Sequence, residues 1–361
     1  MRNNTIFLYC KGIDDVLTGS SKVAGIQVQM SFWARSFVKH GWNVYSFTDK
    51  ETRDIEGIHF IKKKDTWLDR HGLSIVQETI SIFHYLKIIG PDIVFARAAQ
   101  RQLFPLEKNS KLFKAKLVFF SACDRDFDFG KELILGGAWN KKLYRKALEN
   151  VPYFVTQNQY QSDLLLKQYD RSSLILNNIW VTENNATKRE TKYDAIWVAN
   201  LRRLKRAEWF LNLAKQMPDC KFAIVGGVNE QDYYDLIKSE AETFPNVEFL
   251  GPRPFESVNH LLRQSRMLIC TSEFEGFPNT FLQAWANEVP VISTVDPSDM
   301  IKSFNLGKSI DTEDELFEAF VQIHENDEWY KKCQTDIASY FYTHHDADMA
   351  YDKIIHYLEI K

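Results

Sequence analysis

The segment 267–293 constrains the fold of this chain more than any other part of the sequence. It begins with an apolar run at 267–271, which predicts a buried strand, and continues through a loop that contains Glu275. A helical pattern over about 279–287 follows, and a second apolar strand begins at Val289. Strand, loop, helix and strand in this order form the repeating unit of a parallel α/β sheet.

The loop of this unit is a candidate binding site, because ligands of parallel sheets lie outside the carboxyl ends of the strands. Gly276 lets the backbone approach a ligand closely, and Pro278 suits the start of a helix. The amides of residues 277–281, together with the helix dipole, would favour an anion. The carboxylate of Glu275 could accept hydrogen bonds from hydroxyl groups. This combination fits a sugar phosphate.

Strands and helices alternate along the 361 residues without a recognisable hairpin signal. This alternation predicts two doubly wound parallel sheets, one in each of two domains. The polar run 182–192 is typical of a linker. We therefore expect a first domain over 1–182 and a second over 190–344, with the binding site in a cleft between them.

The five cysteines are scattered and form no CxxC pair, which favours a reducing compartment over a disulfide framework. The amino-terminal residues lack the apolar region of a signal peptide. No apolar run approaches the roughly 20 residues that a membrane-spanning helix needs. We therefore expect a cytoplasmic protein whose membrane contact, where it has one, is peripheral.

The net charge of −3 is unevenly distributed. Residues 1–180 carry 26 Lys and Arg against 18 Asp and Glu, whereas the remainder carries 19 against 30. The basic clusters are Lys62-Lys63-Lys64, Lys111 with Lys114 and Lys116, and Lys141-Lys142 with Arg145 and Lys146. Either these are solvated faces, or the first domain contacts an anionic membrane or an acceptor that carries phosphate. No nucleic-acid-binding motif is present, so we expect no nucleic-acid partner.

The stretch 272–291, Ser-x-x-Glu-Gly-Phe-Pro-Asn-Thr-Phe-Leu-Gln-Ala-Trp-Ala-x-x-x-Pro-Val, resembles the nucleotide-sugar motif of glycosyltransferase family 4. The resemblance implies a retaining enzyme of the bacterial surface-polysaccharide type, with two Rossmann-like domains in the GT-B fold. The family has Glu at two positions that seven residues separate. Glu275 matches the first, near the donor sugar, and Gln283 replaces the second, which binds ribose. Gln283 keeps an acceptor oxygen but loses the charge-assisted bond. The other donor-binding candidates in this stretch are Gly276, Phe277, Pro278, Asn279 and Thr280.

A second stretch, 196–210, resembles the part of the family in which an Arg and a Lys hold the donor diphosphate. Lys205 falls on the Lys position, whereas Asn200 falls on the Arg position. Arg202 or Arg203 could supply the missing charge from the loop. A retaining transfer expels a nucleoside diphosphate, and fixed cations stabilise the charge that grows on its oxygens. The alternative is a solvated basic turn.

Weaker similarities add three donor-side candidates. Gly25 matches a glycine of the family's first loop, and Arg253 falls in the loop that contacts the base. Gly226 matches a strand-end glycine beside the nucleotide, although close packing explains it equally well. The resemblance also implies that a final helix at about 345–361 packs back on the first domain.

On the acceptor side, many relatives carry a His near 119–128, and this chain has none there. Cys123 or Asp124 would be the nearest substitute. Arg97 follows an apolar strand and could reach the cleft. Asp124 and Asp126 imitate a metal-binding DxD pair, but the resemblance implies a fold that generally works without a metal.

These interpretations predict a glycosyltransferase that uses a nucleoside diphosphate sugar, needs no cofactor or metal, and modifies a glycan or a lipid-linked glycan such as lipopolysaccharide or capsule. A nucleotide-sugar 2-epimerase of the same fold would need acid and base groups that the sequence does not cluster. A non-catalytic scaffold that binds a glycan or a nucleotide is the other alternative, because Gln283 and Asn200 depart from the family pattern. Nucleotide release in the presence of acceptors separates the three.

Overall fold

The computed structural model of the protein describes residues 4–20, 24–62, 74–127, 135, 137–181, 190–275 and 277–360. The chain divides into two compact units. The first comprises residues 1–18, 23–181 and 346–361, and the second comprises residues 19–22 and 182–345. Each unit is built on its own sheet.

The first unit contains an eight-stranded sheet in the order β3-β4-β2-β1-β5-β6-β7-β8. Its strands are β1 Thr5–Tyr9, β2 Asn43–Thr48, β3 Arg53–Ile55, β4 Ile58–Lys62, β5 Ile93–Arg97, β6 Lys116–Phe120, β7 Tyr153–Thr156 and β8 Leu174–Ile175. All neighbours are parallel except β3 and β4. The order reverses between β1 and β5, so the loops that follow these strands flank a crevice.

The antiparallel pair β3–β4 corrects the expectation of a chain without hairpins. Glu56 and Gly57 connect the two strands with φ values of 51° and 78°. Two successive residues with positive φ match the twist of a tight hairpin, and Gly favours this conformation. The Glu-Gly pair was therefore a local signal that the sequence reading missed.

The helices of the first unit surround this sheet, and a core of buried aromatic rings fills the space beneath them. They are Ile13–Leu17, Gly25–Lys39, Ser74–Ile89, Leu103–Leu112, Ala138–Leu148, Gln159–Tyr169 and Ala347–Tyr357. The carboxy-terminal helix packs on Gly25–Lys39: Trp42 Nε1 donates to the Tyr351 hydroxyl at 2.8 Å, and the His40 ring stacks on Tyr351 at 3.7 Å.

The second unit contains a six-stranded parallel sheet in the order β11-β10-β9-β12-β13-β14. Its strands are β9 Tyr193–Val198, β10 Phe222–Val225, β11 Val247–Gly251, β12 Ser265–Cys270, β13 Val291–Ser293 and β14 Gly307–Ser309. Numbered within the unit, this is the 3-2-1-4-5-6 order of a Rossmann sheet. The strand order reverses between β9 and β12, and ligands of such sheets bind at that point.

Helices alternate with these strands. They are Ala207–Gln216, Gln231–Ala241, Phe255–Arg263, Asn279–Trp285, Met300–Ser303, Glu313–Glu325 and Asp327–His345. Their apolar faces bury side chains such as Phe210, Ile237 and Phe320 against Trp197 and Phe222 of the sheet. Across the residues that the structure describes, no helix combines the length and apolarity that a membrane crossing requires.

Candidate functional site

Two of the predicted motifs meet at the reversal of strand order in the second unit. The 3-10 turn Arg203–Lys205 follows β9, and the loop that carries Glu275 follows β12. Strands β9 and β12 are parallel neighbours, so both loops leave the same edge of the sheet. The sheet order therefore brings together residues that are 70 positions apart in the sequence.

The centre of this site is an ion pair in which the Lys205 ammonium group donates a hydrogen bond to Glu275 Oε1. Lys205 is only 8% exposed, whereas the Glu275 side chain keeps 22% of its surface exposed. Ser272 Oγ also donates to Glu275 Oε1, at 3.2 Å. An ammonium group has three protons and a carboxylate has several acceptor positions. The pair can therefore offer a cation to a phosphate oxygen and an acceptor to a hydroxyl group.

Thr271, directly after β12, holds the Lys205 turn against the sheet through hydrogen bonds. Its hydroxyl oxygen lies 2.7 Å from the Lys205 carbonyl oxygen and 2.8 Å from that of Arg206. The same hydroxyl accepts a hydrogen bond from Trp197 Nε1 at 3.1 Å. Thr271 is fully buried, so this network has no competition from solvent. It fixes the backbone that carries the buried cation.

Arg206 strengthens the same connection. Its backbone has a positive φ of 49°, its Nε donates to the Thr271 carbonyl oxygen at 2.7 Å, and its guanidinium lies 4.1 Å from the Trp209 ring centroid. The backbone N–H of Glu273 donates to the Leu204 carbonyl oxygen at 2.9 Å. The two loops are thus tied together by one side-chain-to-backbone bond and one backbone bond.

The two other predicted cations of this turn behave differently. Arg202 is half-buried, and its carbonyl oxygen accepts the Lys205 backbone N–H at 2.8 Å. Arg203 is exposed, and its Nη2 donates to Asp232 Oδ2 at 2.6 Å, with Glu230 3.9 Å from its Nε. The guanidinium of Arg203 is therefore engaged by acidic groups away from the Lys205–Glu275 pair.

The helix Asn279–Trp285 begins beside the Glu275 loop. Gln283 on this helix is 4% exposed, and its Nε2 makes no hydrogen bond with any residue that the structure describes. A buried amide donor without a partner is costly unless a ligand or water satisfies it. Gln283 is therefore compatible with a binding role.

The other predicted residues of this loop are placed as follows. Gly276 lies outside the described residues. Pro278 is buried, and Asn279 and Thr280 are half-buried. The ring of Phe277 packs inwards, with its centroid 6.4 Å from that of Trp285.

Three donor-side candidates lie at neighbouring strand ends. Asn200 Oδ1 accepts the Gly227 backbone N–H at 3.2 Å, so it joins the loops after β9 and β10. A Cβ on Gly226 would lie 1.8 Å from the Ala199 carbonyl oxygen. Close backbone packing thus accounts for this glycine. Arg253 is exposed after β11.

In the first unit, Arg97 is the last residue of β5 and lies at the strand-order reversal. Its side chain is 4% exposed, its Nη2 donates to Asn178 Oδ1 at 2.5 Å, and its guanidinium lies 4.2 Å from the Phe120 ring centroid. Burial lowers its pKa to about 10, so the group stays charged at neutral pH. Within the described part of the chain, Nε and Nη1 of Arg97 make no hydrogen bond.

Asp126 organises the loop after β6 from a buried position. Its carboxylate accepts backbone N–H groups from Ala99 at 3.0 Å, Ala122 at 2.6 Å and Cys123 at 3.3 Å. Burial raises the pKa of this carboxyl group, while the three backbone bonds oppose the shift. Both oxygens of Asp126 are therefore used to hold the loop.

Cys123 and Asp124, the acceptor-side candidates, lie on this loop and are half-buried. Burial and the Asp126 charge raise the pKa of the Cys123 thiol to about 12, so the thiol is protonated at neutral pH. Asp124 Oδ1 accepts a hydrogen bond from Gln161 Nε2 at 3.0 Å. The Asp124–Asp126 pair is thus occupied by hydrogen-bond donors of the protein, which disfavours a DxD metal site.

Gly25 is exposed and is the first residue of the helix Gly25–Lys39.

Among the predicted residues, the structure brings Lys205 and Glu275 into contact and places Gln283 on the helix that follows Glu275. The sequence did not predict the roles of Thr271, which holds the Lys205 turn, and Asn178, which accepts a hydrogen bond from Arg97. Thr271 stands at a predicted strand end, which is a usable signal. Asn178 has none, because its partner Arg97 is 81 positions away.

Two α/β units on Rossmann-like parallel sheets in one chain define the class: the protein has the GT-B fold. Residues 178–337 match the family model described as "Glycosyl transferases group 1". This segment contains both loops of the Lys205–Glu275 site. The match covers most of the second unit and leaves most of the first outside it.

Solved structures support the same fold across the chain. Sucrose-phosphate synthase from Thermosynechococcus elongatus is similar with a TM-score of 0.73 and 12% identity, over 98% of this chain and 99% of that one. A glycosyltransferase from Rickettsia africae ESF-5 is similar with a TM-score of 0.74 and 14% identity, over 100% and 98%. WaaG, a glycosyltransferase involved in lipopolysaccharide biosynthesis, has a TM-score of 0.63 and 14% identity, over 94% and 95%. No curated protein matches the sequence significantly.

Proposed function

We propose that the protein is a retaining glycosyltransferase of family 4. It transfers a sugar from a nucleoside diphosphate sugar to a hydroxyl group of a glycan or lipid-linked glycan, in cell-surface polysaccharide biosynthesis. The observation that carries this proposal is the Lys205–Glu275 ion pair at the strand-order change of the second unit. The family match over 178–337 and the similarity to WaaG support the reaction class and the setting.

In this proposal Lys205 binds the diphosphate of the donor. One of its three ammonium protons bonds to Glu275, and the others are available to phosphate oxygens. When the bond from the anomeric carbon to the diphosphate breaks, negative charge grows on the leaving oxygen. A buried cation fixed by Thr271 stabilises that charge without reorganisation. Arg202 adds positive charge from the same turn, and no metal ion is needed.

Glu275 positions the sugar by accepting hydrogen bonds from its hydroxyl groups. The acceptor hydroxyl attacks the anomeric carbon on the face from which the diphosphate departs. The new bond to the acceptor oxygen forms as the old bond to phosphate breaks, and the hydroxyl proton passes to the departing phosphate. Gln283, with its unpartnered buried amide, binds the ribose.

On the acceptor side, the proposal uses the loop after β6, with Cys123 and Asp124, and the buried charge of Arg97. A cation with unpartnered N–H groups suits an acceptor that carries an anionic group. This agrees with a lipid-linked acceptor that bears phosphate.

A nucleotide-release assay with UDP, GDP and ADP sugars and candidate acceptors tests this function. We expect release that depends on an acceptor and is lost in Glu275→Gln. Glu273→Gln is the matched control, because Glu273 is an exposed carboxylate in the same loop. Turnover of a nucleotide sugar without an acceptor would indicate an epimerase, and no turnover with any donor would indicate a scaffold. Wild-type rates in Glu275→Gln would contradict the role of this residue.

We also propose that the first unit contacts the cytoplasmic face of an anionic membrane. Its helices expose large apolar side chains next to basic ones. The exposed apolar residues are Val76, Ile80, Phe83, Leu112 and Trp139, and the exposed basic residues include Lys87, Lys111, Lys114, Lys142 and Lys146. The helices that carry Phe83 and Leu112 are neighbours, because the Phe83 and Phe113 rings lie 5.2 Å apart. Such surfaces bind anionic lipid through charge and apolar insertion.

Vesicle pelleting tests this contact. We expect binding to vesicles with anionic lipid that weakens as salt increases. The double variant Lys111→Glu with Lys114→Glu should lose binding, whereas Lys238→Glu in the second unit should not. Absence of binding at low salt, or equal binding by the Lys111/Lys114 variant, would contradict the proposal.

A further inference from the structure

A second cluster of chemically active side chains lies at the opposite edge of the second sheet. Asp194 is the second residue of β9, Cys220 precedes β10 by two residues, and His324 is near the end of the helix Glu313–Glu325. Strand β9 has six residues, which span about 17–20 Å. The cluster is therefore well separated from Lys205, which follows the other end of that strand.

The three side chains have the spacing of metal ligands. Cys220 Sγ lies 3.7 Å from His324 Nε2, and His324 Nδ1 lies 3.5 Å from Asp194 Oδ1. One donor atom from each residue lies within 4.8 Å of the others. Sulfur and nitrogen ligands of a tetrahedral zinc ion, at about 2.3 and 2.0 Å from the metal, are about 3.5 Å apart. Cys220 Sγ and His324 Nε2 are already near this separation. Rotation of the Asp194 side chain would bring its carboxylate oxygen into the same coordination sphere.

The surrounding structure holds these groups but leaves donor atoms free. Lys221 donates its backbone N–H to Asp194 Oδ2 at 2.8 Å, so Oδ1 remains to bind an ion. The His324 ring stacks on Phe320 with centroids 5.5 Å apart. His324 Nδ1 is buried and makes no hydrogen bond with any described residue. Nδ1 faces Asp194 Oδ1 at 3.5 Å, so Nε2, which faces Cys220 Sγ at 3.7 Å, is the ring nitrogen available to an ion.

The chemistry of the cluster favours a transition metal over a nucleophilic thiol. The carboxylates of Asp194 and Asp219 lie near the Cys220 thiol, and no neighbouring cation among the described residues activates it as a nucleophile. A dication would counter these charges and deprotonate the thiol on binding. Sulfur and nitrogen donors suit zinc-class ions, whereas Mg²⁺ and Ca²⁺ prefer oxygen donors alone.

Solvent can reach the cluster from one side. The side chains of Asp194 and His324 keep 25% and 31% of their surfaces exposed, while Cys220 is 4% exposed. An ion could therefore enter beside the carboxylate and the imidazole, and a water molecule could complete a tetrahedral set as the fourth ligand.

We propose that Asp194, Cys220 and His324 bind a zinc-class transition-metal ion. The ion ties the amino-terminal ends of β9 and β10 to the helix Glu313–Glu325. Its role is structural, since it lies at the sheet edge opposite the Lys205–Glu275 pair. The proposal does not depend on the glycosyltransferase assignment, and its test does not use activity.

The test uses the full chain, freed of metal with a chelator and kept under a reductant. Zn²⁺ is titrated against a chromophoric chelator, and Co²⁺ is added separately to look for the absorption band of a thiolate bound to cobalt. We expect one ion per chain, a cobalt–thiolate band, and a higher melting temperature with Zn²⁺. Cys220→Ala, His324→Gln and Asp194→Asn should each lower the affinity by at least about tenfold. Cys10→Ser and His260→Gln should leave it unchanged.

Circular dichroism of the metal-free variants shows whether each one folds. His324→Gln and Asp194→Asn alter partly exposed side chains, so they keep the test valid where Cys220→Ala is unstable. Absence of the cobalt–thiolate band in the wild type would overturn the proposal. So would unchanged Zn²⁺ affinity in His324→Gln, because the ion would then bind elsewhere.

Discussion

Replacing Glu275 by Gln is expected to separate nucleotide binding from sugar transfer. Without a ligand, the Glu275 carboxylate accepts a hydrogen bond from the buried Lys205 ammonium group. In the proposed function, a diphosphate therefore competes with this carboxylate for the cation. Gln keeps the size and the side-chain oxygen but loses the charge. In the variant, Lys205 offers its charge to the phosphate alone, and binding of a nucleoside diphosphate should become tighter.

The structure sets the size of this effect. Both Glu and Gln accept a hydrogen bond from the charged ammonium group, so they differ by the attraction between opposite charges, which at about 4 Å is about 1 kcal/mol in water and about 4 kcal/mol near a protein surface. The Glu275 side chain is 22% exposed, so solvent screening places the pair at the lower end of its range. The difference between Glu and Gln is then about 1 kcal/mol, which corresponds to about fivefold in Kd.

Calorimetry and nucleotide release measure the two halves of this prediction. The nucleoside diphosphate that binds the wild type is titrated into Glu275→Gln and into the control Glu273→Gln. We expect Kd to fall about fivefold in Glu275→Gln and to stay constant in the control. Sugar transfer by Glu275→Gln should fall by at least about 100-fold, because the sugar loses its positioning group.

Weaker binding of the nucleoside diphosphate by Glu275→Gln would refute this reasoning, because it would show that the carboxylate supports the phosphate rather than competing with it. A sharp fall in the melting temperature of the ligand-free variant would show a third outcome, in which the pair holds the loop together. That result would also contradict competition as the dominant effect.

Three further predictions concern the same site. Lys205→Ala should raise the Kd for the nucleoside diphosphate at least about tenfold by calorimetry, whereas Lys215→Ala on the next helix should not; equal affinities would remove Lys205 from the site. Thr271→Val should lower the free energy of unfolding by about 1–3 kcal/mol in denaturant titrations, since Trp197 Nε1 loses its buried acceptor. An unchanged midpoint would show that the Thr271 hydrogen bonds do not stabilise the Lys205 turn. Gly226→Ala should cost about 1–3 kcal/mol by the same assay, because its Cβ would lie 1.8 Å from a carbonyl oxygen; a neutral substitution would show that the loop moves freely.

Local sequence patterns pointed to the two loops that the structure brings into contact at Lys205 and Glu275. The apolar run before Thr271 and the strand before Asn200 identify two strand ends, and a parallel sheet places all its strand ends at one edge. Strand alternation also predicted the fold class. What remained was to show that the strands preceding Lys205 and Glu275 are neighbours, and pattern alone does not give strand order.

The sequence did not predict side-chain contacts between different helices, strands and loops. Arg203 was a candidate for the diphosphate, and in the structure its guanidinium pairs with Asp232 of the helix Gln231–Ala241. Asp126 imitated a metal ligand, yet it accepts three backbone N–H groups. In both cases the side chain has a chemistry that suits several partners, and only the tertiary fold selects one.

In the proposed function, the Lys205–Glu275 pair has two states, one without a ligand and one with a bound donor. Leaving a buried ammonium group without a partner costs several kcal/mol. Glu275 therefore stabilises Lys205 while the site holds no ligand. A bound diphosphate can take over that role, which frees the carboxylate to accept hydroxyl groups of the sugar. The exchange links donor binding to the placement of Glu275, so a nucleoside diphosphate alone and a complete donor should leave this carboxylate with different partners. The rigid attachment of both loops through Thr271 keeps the two groups close enough for that exchange.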